Sequence, residues 1–303
     1  MAAPTGPGGY SSYKASEHIT PSGHATPRTA APAGSALEDF VHDLDRPVIA
    51  VDMDDVLCQT NLAVAQWHND TYGTNMTLDD FHWSEPPPLA PANAAHTPHA
   101  SQNPYWGNPT ETVAKVEKIW ESDYLDKAPP VPGAYDGIVT LKNLGYRLVV
   151  VTARQPRELD RSLAWLAREF PGLFDTVICT GQSQETLADE HELVTKLSKA
   201  DVCRKIGALF LVDDSAENAL KCACAAPPVT VLLFGEYAWN RQAAHYDDVK
   251  QELSFAEKFE KEGRREYWLD EKLEVPAGAP LTRVKGWEEV IQWVEKQKAD
   301  GKL

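Results

Sequence analysis

Short apolar runs separated by longer amphipathic stretches dominate the pattern of this chain. Pro47-Val48-Ile49-Ala50-Val51 is apolar and β-branched with no polar alternation, the mark of a strand buried on both faces. Residues 147–151, 176–179, 209–212 and 229–234 read the same way. Between these runs apolar residues recur at helical spacing, which predicts helices over 134–144, 156–170, 196–206 and 215–224. Strands alternating with helices predict βαβ units, hence an α/β fold with a doubly wound, Rossmann-like parallel sheet. Two further helices, over 60–72 and 110–120, fall between the first and second strands and predict a helical cap inserted there. A helix over 286–297, with Trp287, Val290, Ile291 and Val294 on one face, closes the domain.

Composition refines these boundaries. Residues 1–34 are rich in Pro, Gly, Ala, Ser and Thr and hold few large apolar side chains, so they are expected to form a disordered tail. Order is expected from the amphipathic stretch 36–44 onward, with the α/β core over 35–60 and 130–303 and the cap over 61–129. Within the cap, Pro86, Pro87, Pro88, Pro91, Pro98, Pro104 and Pro109 interrupt every period and mark an irregular insertion. The charged stretch 246–273 is only loosely periodic and reads as a helical excursion on the surface.

The formal net charge of −16, from 45 acidic and 29 basic residues, opposes binding to a nucleic-acid polymer or an anionic membrane surface. A small phosphorylated metabolite remains compatible, because a local metal ion and a few cations override a distant field. The five cysteines, Cys58, Cys179, Cys203, Cys222 and Cys224, fit no zinc-binding spacing. The chain carries no apolar run of membrane-spanning length and no apolar secretory segment at its start, so a cytoplasmic, intracellular enzyme is expected. Nothing in the pattern specifies an oligomeric state.

The chemistry concentrates at strand ends. The run Val48–Val51 delivers Asp52 and Asp54 at alternate positions, and like charges so close call for a cation or a shared proton. Oxygen donors of this kind suit a hard divalent ion, Mg²⁺ above all. A second apolar run ends in Asp213-Asp214-Ser215, where the serine also suits a helix cap. The run over 148–151 ends in Thr152, whose hydroxyl can donate to a phosphoryl oxygen. Among the lysines of the following helical stretch, Lys199 competes with Lys196 and Lys205 for the neutralising cation. Each feature has a plainer reading as a solvated turn, a helix cap or a surface lysine; two apolar strands both ending in acid pairs is harder to explain structurally.

Asp52-Met53-Asp54-Asp55-Val56-Leu57 resembles the first motif of the haloacid-dehalogenase-like hydrolases, and Thr152, Lys199 and Asp213-Asp214 follow in the order of that family's other motifs. The resemblance implies a Mg²⁺-dependent phosphomonoesterase. Asp52 would be the nucleophile that forms an aspartyl phosphate, and Asp54 the acid and base. Thr152, Lys199 and loop N–H groups would bind phosphoryl oxygens. The metal would be held by Asp52, the Asp54 main-chain carbonyl and Asp213 or Asp214. Within the family the chain looks like the 5′-nucleotidase and 5′(3′)-deoxyribonucleotidase group, which shares an Asp-Met-Asp start, an inserted helical cap and a late strand running into aromatic residues and an Asn, here Val231 to Asn240. That group usually has Gly where this chain has Asp55. A nucleotide-like 5′-phosphate is the implied substrate; a sugar or polyol phosphate, and a catalytically weak binding protein, are the alternatives. Arg154 and Arg157 could grip a second anionic group or simply be solvated at a helix start. Trp67, Tyr72, Phe81, Trp83, Tyr105 and Trp106 could stack on a base or pack the cap, while His68 and His82 read as surface or packing histidines.

Overall fold

Five of the apolar runs become strands, and a sixth strand joins them. The structure, a computed structural model, describes residues 46–81, 103–107, 109–181, 197–241, 255–261, 263–265 and 272–303. The tail over 1–34, the 36–44 stretch, most of the Pro-rich insertion, His82, Trp83, Lys196 and most of 246–273 lie outside these residues. Strands β1 (Val48–Val51), β2 (Arg147–Thr152), β3 (Thr176–Cys179), β4 (Ala208–Asp213), β5 (Val231–Phe234) and β6 (Leu281–Val284) form one sheet in the order β3-β2-β1-β4-β5-β6. Every pairing between these strands is parallel. The chain order reverses direction between β1 and β4, and the crevice at the carboxyl ends of those two strands is where open α/β sheets place ligands.

Burial on both faces explains the unbroken apolar runs. Ile49, Val51, Leu148, Val150, Val212 and Leu232 pack on one face, with residues of α3 (Ala134–Asn143), α4 (Leu159–Glu169) and α8 (Trp287–Ala299). Val48, Ala50, Val149, Val151, Leu211 and Leu233 pack on the other, with residues of α5 (Lys199–Lys205) and α6 (Ala216–Ala223). Helices on both faces of a parallel sheet make the doubly wound architecture that the pattern predicted.

The segment between β1 and α3 carries α1 (Thr60–Tyr72) and α2 (Pro109–Glu121). Its buried Trp67, Trp106, Val116 and Ile119 belong to the same apolar cluster as Ile49 and Val51. A short helix, α7 (Phe255–Lys261), is the described part of the charged excursion. The predicted helix over 156–170 divides into a 3-10 turn, Pro156–Glu158, and α4, because Pro156 starts a tight first turn. Strand β6 was not anticipated: Thr282 and Arg283 are exposed, so no apolar run announces it. No helix among the described residues is long and apolar enough to cross a membrane.

Candidate active site

Asp52 follows the last residue of β1 and still sits in the ladder, its N–H donating to the Val212 carbonyl at 2.9 Å. Asp213 ends the neighbouring strand, β4. Between the two carboxylates lies Lys199, the first residue of α5 and 1% exposed. Its Nζ stands 2.9 Å from Asp52 Oδ1 and 2.7 Å from Asp213 Oδ2. The α5 start is fixed by a capping box, in which the Ser198 hydroxyl accepts from the Asp201 N–H and Asp201 accepts from the Ser198 N–H. That cap aims the first-turn lysine at the sheet. Asp213 Oδ1 accepts the Ser215 N–H at 2.9 Å, so each Asp213 oxygen has a donor. Asp214 turns away from Lys199, and its Oδ2 accepts the Trp239 indole N–H at 2.7 Å. Asp52, Asp213 and Asp214 each offer an oxygen within 4.8 Å of the others, and all three are buried.

This packing has an electrostatic cost. Burial pushes the Asp52 carboxyl up to about 7; Lys199 opposes that shift, while Asp213 and Asp54 add to it. Burial, followed by the charges of Asp55 and Asp52, also raises the Asp214 carboxyl well above the ordinary carboxylate range. Burial pulls Lys199 down, but Asp213 and Asp52 outweigh it and hold the ammonium above its usual value. Three buried carboxylates against one ammonium leave excess negative charge inside a set of hard oxygen donors. That chemistry fits a small divalent cation.

The turn after β1 redirects the next two acids. Leu57 and Cys58 both donate to the Met53 carbonyl, and the turn places Asp55 at φ 52°, a left-handed conformation that Asp tolerates better than most residues. Asp54 swings to Thr60, whose hydroxyl donates to its Oδ1 at 2.5 Å, and to Arg154. The guanidinium reaches Asp54 Oδ2 from Nε at 3.0 Å and Oδ1 from Nη2 at 2.6 Å. Asp55 points inward instead. Its carboxylate accepts the Asn61 N–H at 3.2 and 3.3 Å, capping α1, for which Gln59 supplies no side-chain bond. Burial and then Asp54 raise the Asp55 carboxyl well above its ordinary value. Thr152 ends β2 fully buried, and its hydroxyl oxygen accepts the Arg154 N–H at 3.2 Å.

No family model and no curated protein matches the sequence. Solved structures align with its fold. A predicted phosphatase from Clostridium acetobutylicum aligns over 83% of this chain and 99% of its own, at 11% identity and a TM-score of 0.47. A haloacid-dehalogenase family hydrolase from Deinococcus radiodurans R1, solved with bound phosphate and sodium, covers 83% of this chain and 96% of its own, at 12% identity and TM-score 0.46. The L-2-haloacid dehalogenase of Xanthobacter autotrophicus, solved with chloropropionic acid covalently bound, covers 82% and 98%, at 13% identity and TM-score 0.45. These neighbours are haloacid-dehalogenase-like phosphatases and hydrolases.

The site expected from sequence thus resolves into two contact groups. Asp52, Lys199, Asp213 and Asp214 form one, and Asp54 with Arg154 forms the other, to which Thr152 is joined through the Arg154 main chain. Arg154 is 3% exposed and engaged by Asp54, not presented to solvent. Arg157 pairs with Glu158 at 3.2 Å. Trp67, His68, Tyr72, Tyr105 and Trp106 pack on one another at centroid separations of 4.7 to 6.2 Å. The His68 imidazole, buried and near Lys115, is pushed down to about 4. Sequence reasoning gave no role to Asp55, Thr60, Tyr237 or Trp239. Tyr237 and Trp239 stack at 4.2 Å, and the Tyr237 hydroxyl donates to the Asp55 carbonyl at 2.9 Å. The signal for these two is the aromatic run after β5.

Proposed function

We propose that this chain is a Mg²⁺-dependent phosphomonoesterase of the haloacid-dehalogenase-like type, working through an aspartyl phosphate on Asp52. The observation that carries the reading is the Lys199 bridge between Asp52 and Asp213, with Asp214 alongside, where the sheet order reverses. Asp52, Asp214 and the Asp54 main-chain carbonyl would hold the metal. Asp213 is the poorer candidate because Lys199 and the Ser215 N–H already occupy its oxygens. When bound, the ion supplies charge neutralisation and orients the phosphoryl group.

The protein's own groups account for each bond change. A carboxylate oxygen of Asp52 attacks phosphorus in line, the bond from phosphorus to the ester oxygen breaks, and Asp54 delivers a proton to the departing alkoxide. Water then attacks the aspartyl phosphate, giving its proton to Asp54. The bond from phosphorus to Asp52 breaks, and inorganic phosphate leaves with the nucleophile restored. Lys199 balances the carboxylate charge throughout, and Thr152 with nearby N–H groups meets the equatorial oxygens.

A small phosphorylated metabolite is the partner, with the α1–α2 segment acting as a cap over it. A nucleotide-like 5′-phosphate is the substrate favoured by the motif resemblance. A sugar or polyol phosphate is the second reading, favoured by Trp106 Nε1 and Thr112 Oγ1, which are buried without a hydrogen-bond partner among the described residues and suit a hydroxyl-rich alcohol. The five free cysteines, four of them buried, accord with work in the cytoplasm. Hydrolysis of nucleotide and polyol phosphates by wild type and Asp52→Asn, with and without Mg²⁺, tests the reading. Activity that needs both Asp52 and the metal is expected. Equal turnover by the two proteins would sink it.

A further inference from the structure

We infer that Arg154 is the positioning residue of the proton-transfer group: it clamps the Asp54 carboxylate in one orientation and ties that orientation to Trp120 of helix α2. The inference rests on the phosphatase reading above and assigns a role within the same site.

Asp54 lies in a turn beyond the end of β1 and its side chain is 20% exposed, so packing alone does not hold its carboxylate. Proton transfer requires hydrogen-bond reach and alignment. Arg154 supplies the missing constraint through a two-pronged contact that fixes the carboxylate plane, Nη2 on Oδ1 and Nε on Oδ2. Oδ1 also accepts the Thr60 hydroxyl, a further donor that holds the carboxylate from the start of α1.

The clamp is itself anchored on three sides. The Arg154 N–H donates to the Thr152 hydroxyl oxygen. Nη1 donates at 3.0 Å to the Ser162 hydroxyl, which in turn donates to the Glu158 carbonyl at 2.9 Å. The guanidinium carbon lies 5.6 Å from the Trp120 ring centroid, while Arg161 stands 5.9 Å from the same ring. Arg161 also donates to the Trp120 and Ser122 carbonyls and pairs with Asp126, so the end of α2 is latched to α4. Each of the three Arg154 nitrogens therefore has an acceptor, and one face meets an indole. A residue built to grip a second anionic group of the substrate would present donors outward; this one spends them on Asp54 and Ser162.

A positioning role predicts a loss that depends on the leaving group. A nitrophenolate departs without a proton, whereas an alkoxide needs one. Turnover of 4-nitrophenyl phosphate and of a simple alkyl phosphate is therefore compared in wild type, Arg154→Met, Ser162→Ala, Asp54→Asn and the Asp54→Asn/Arg154→Met double variant. The inference expects Arg154→Met to lower kcat/KM, which reports the steps up to departure of the leaving group and not the shared hydrolysis of the aspartyl phosphate, at least about tenfold more for the alkyl ester than for the aryl ester. Ser162→Ala, which leaves the clamp in place but removes an anchor, is expected to show the same selectivity to a smaller degree and covers the case in which Arg154→Met fails to fold. In the Asp54→Asn background, loss of Arg154 is expected to add less than about twofold. Calorimetric titration with Mg²⁺ is expected to give the same affinity for Ser162→Ala as for wild type. Equal losses of kcat/KM on both esters, or fully additive effects in the double variant, would each overturn the inference while leaving the phosphatase reading standing. If Asp52→Asn matches wild type on both esters, the phosphatase reading falls and the role of Arg154 falls with it.

Discussion

Replacing Lys199 by Met tests the electrostatic core of the site. The substitution keeps most of the buried stem and removes the ammonium that stands within 3 Å of both Asp52 and Asp213, at 2.9 and 2.7 Å. Their carboxylates offer oxygens within 4.8 Å of each other. At an effective dielectric of about 20, two unit charges at that separation repel by about 3.5 kcal/mol. Removing one member of a buried ion pair costs about 3–5 kcal/mol, and the two routes agree. Asp52 can escape by taking up a proton, which fixes the pH dependence. In the unfolded chain an aspartate ionises near 3.9. In the folded variant Asp52 holds its proton to higher pH than in the wild type, where it already stands at about 7. A carboxylate raised in the folded state loses stability as pH climbs from its unfolded value toward its folded one. The deficit of Lys199→Met is thus expected to be small near pH 4, to grow through neutrality and to shrink when Mg²⁺ supplies the missing charge. Urea unfolding followed by tryptophan fluorescence at pH 5 and pH 8, with and without Mg²⁺, measures it. A deficit below about 1 kcal/mol at pH 8, unchanged at pH 5, would show that Lys199 does not neutralise this cluster.

The same physics reaches neighbouring positions. Asp55→Asn keeps a residue that accepts φ 52° and can still accept the Asn61 N–H, while removing a buried charge whose carboxyl is raised by burial and by Asp54. Its melting temperature is expected to exceed that of the wild type, by more at pH 8 than at pH 5, because only the wild type bears a charge that grows costlier above the unfolded carboxylate value; thermal scans at both pH values check this. Trp239→Phe removes the indole N–H that holds Asp214 Oδ2 at 2.7 Å, and calorimetric titration is expected to show Mg²⁺ affinity reduced about 10- to 100-fold. Gly137→Ala would place a Cβ 2.6 Å from Trp287 Cε3, and that indole is pinned by its bond to the Val56 carbonyl at 2.9 Å. Overpacking is expected to outweigh the gain in helix propensity and destabilise the fold by about 1–2 kcal/mol in urea titration.

Much of the sheet was legible because burial on both faces demands unbroken apolar runs, and β1 to β5 each carry one. Helix α1 spans the residues that its periodicity marked, Thr60–Tyr72. Strand β6 was illegible for the opposite reason: half of Leu281-Thr282-Arg283-Val284 faces outward at the sheet edge, and only pairing with β5 defines it. The acids at strand ends were also written in the sequence, since an apolar strand that stops at paired carboxylates leaves few other uses for them. Their division of labour was not. Asp213 and Asp214 are adjacent and chemically identical, yet one meets Lys199 and the other Trp239, because the backbone turns after β4 and sends them to different neighbours. Arg154 and Asp54 lie 100 residues apart, and Tyr237 and Asp55 lie 182 apart. Local pattern records which residue types are present and which way a strand or helix turns them. Which charge meets which partner is set by distances across the sheet, where a few ångströms in a buried, weakly screened setting decide the energy, and those distances exist only once the chain has folded.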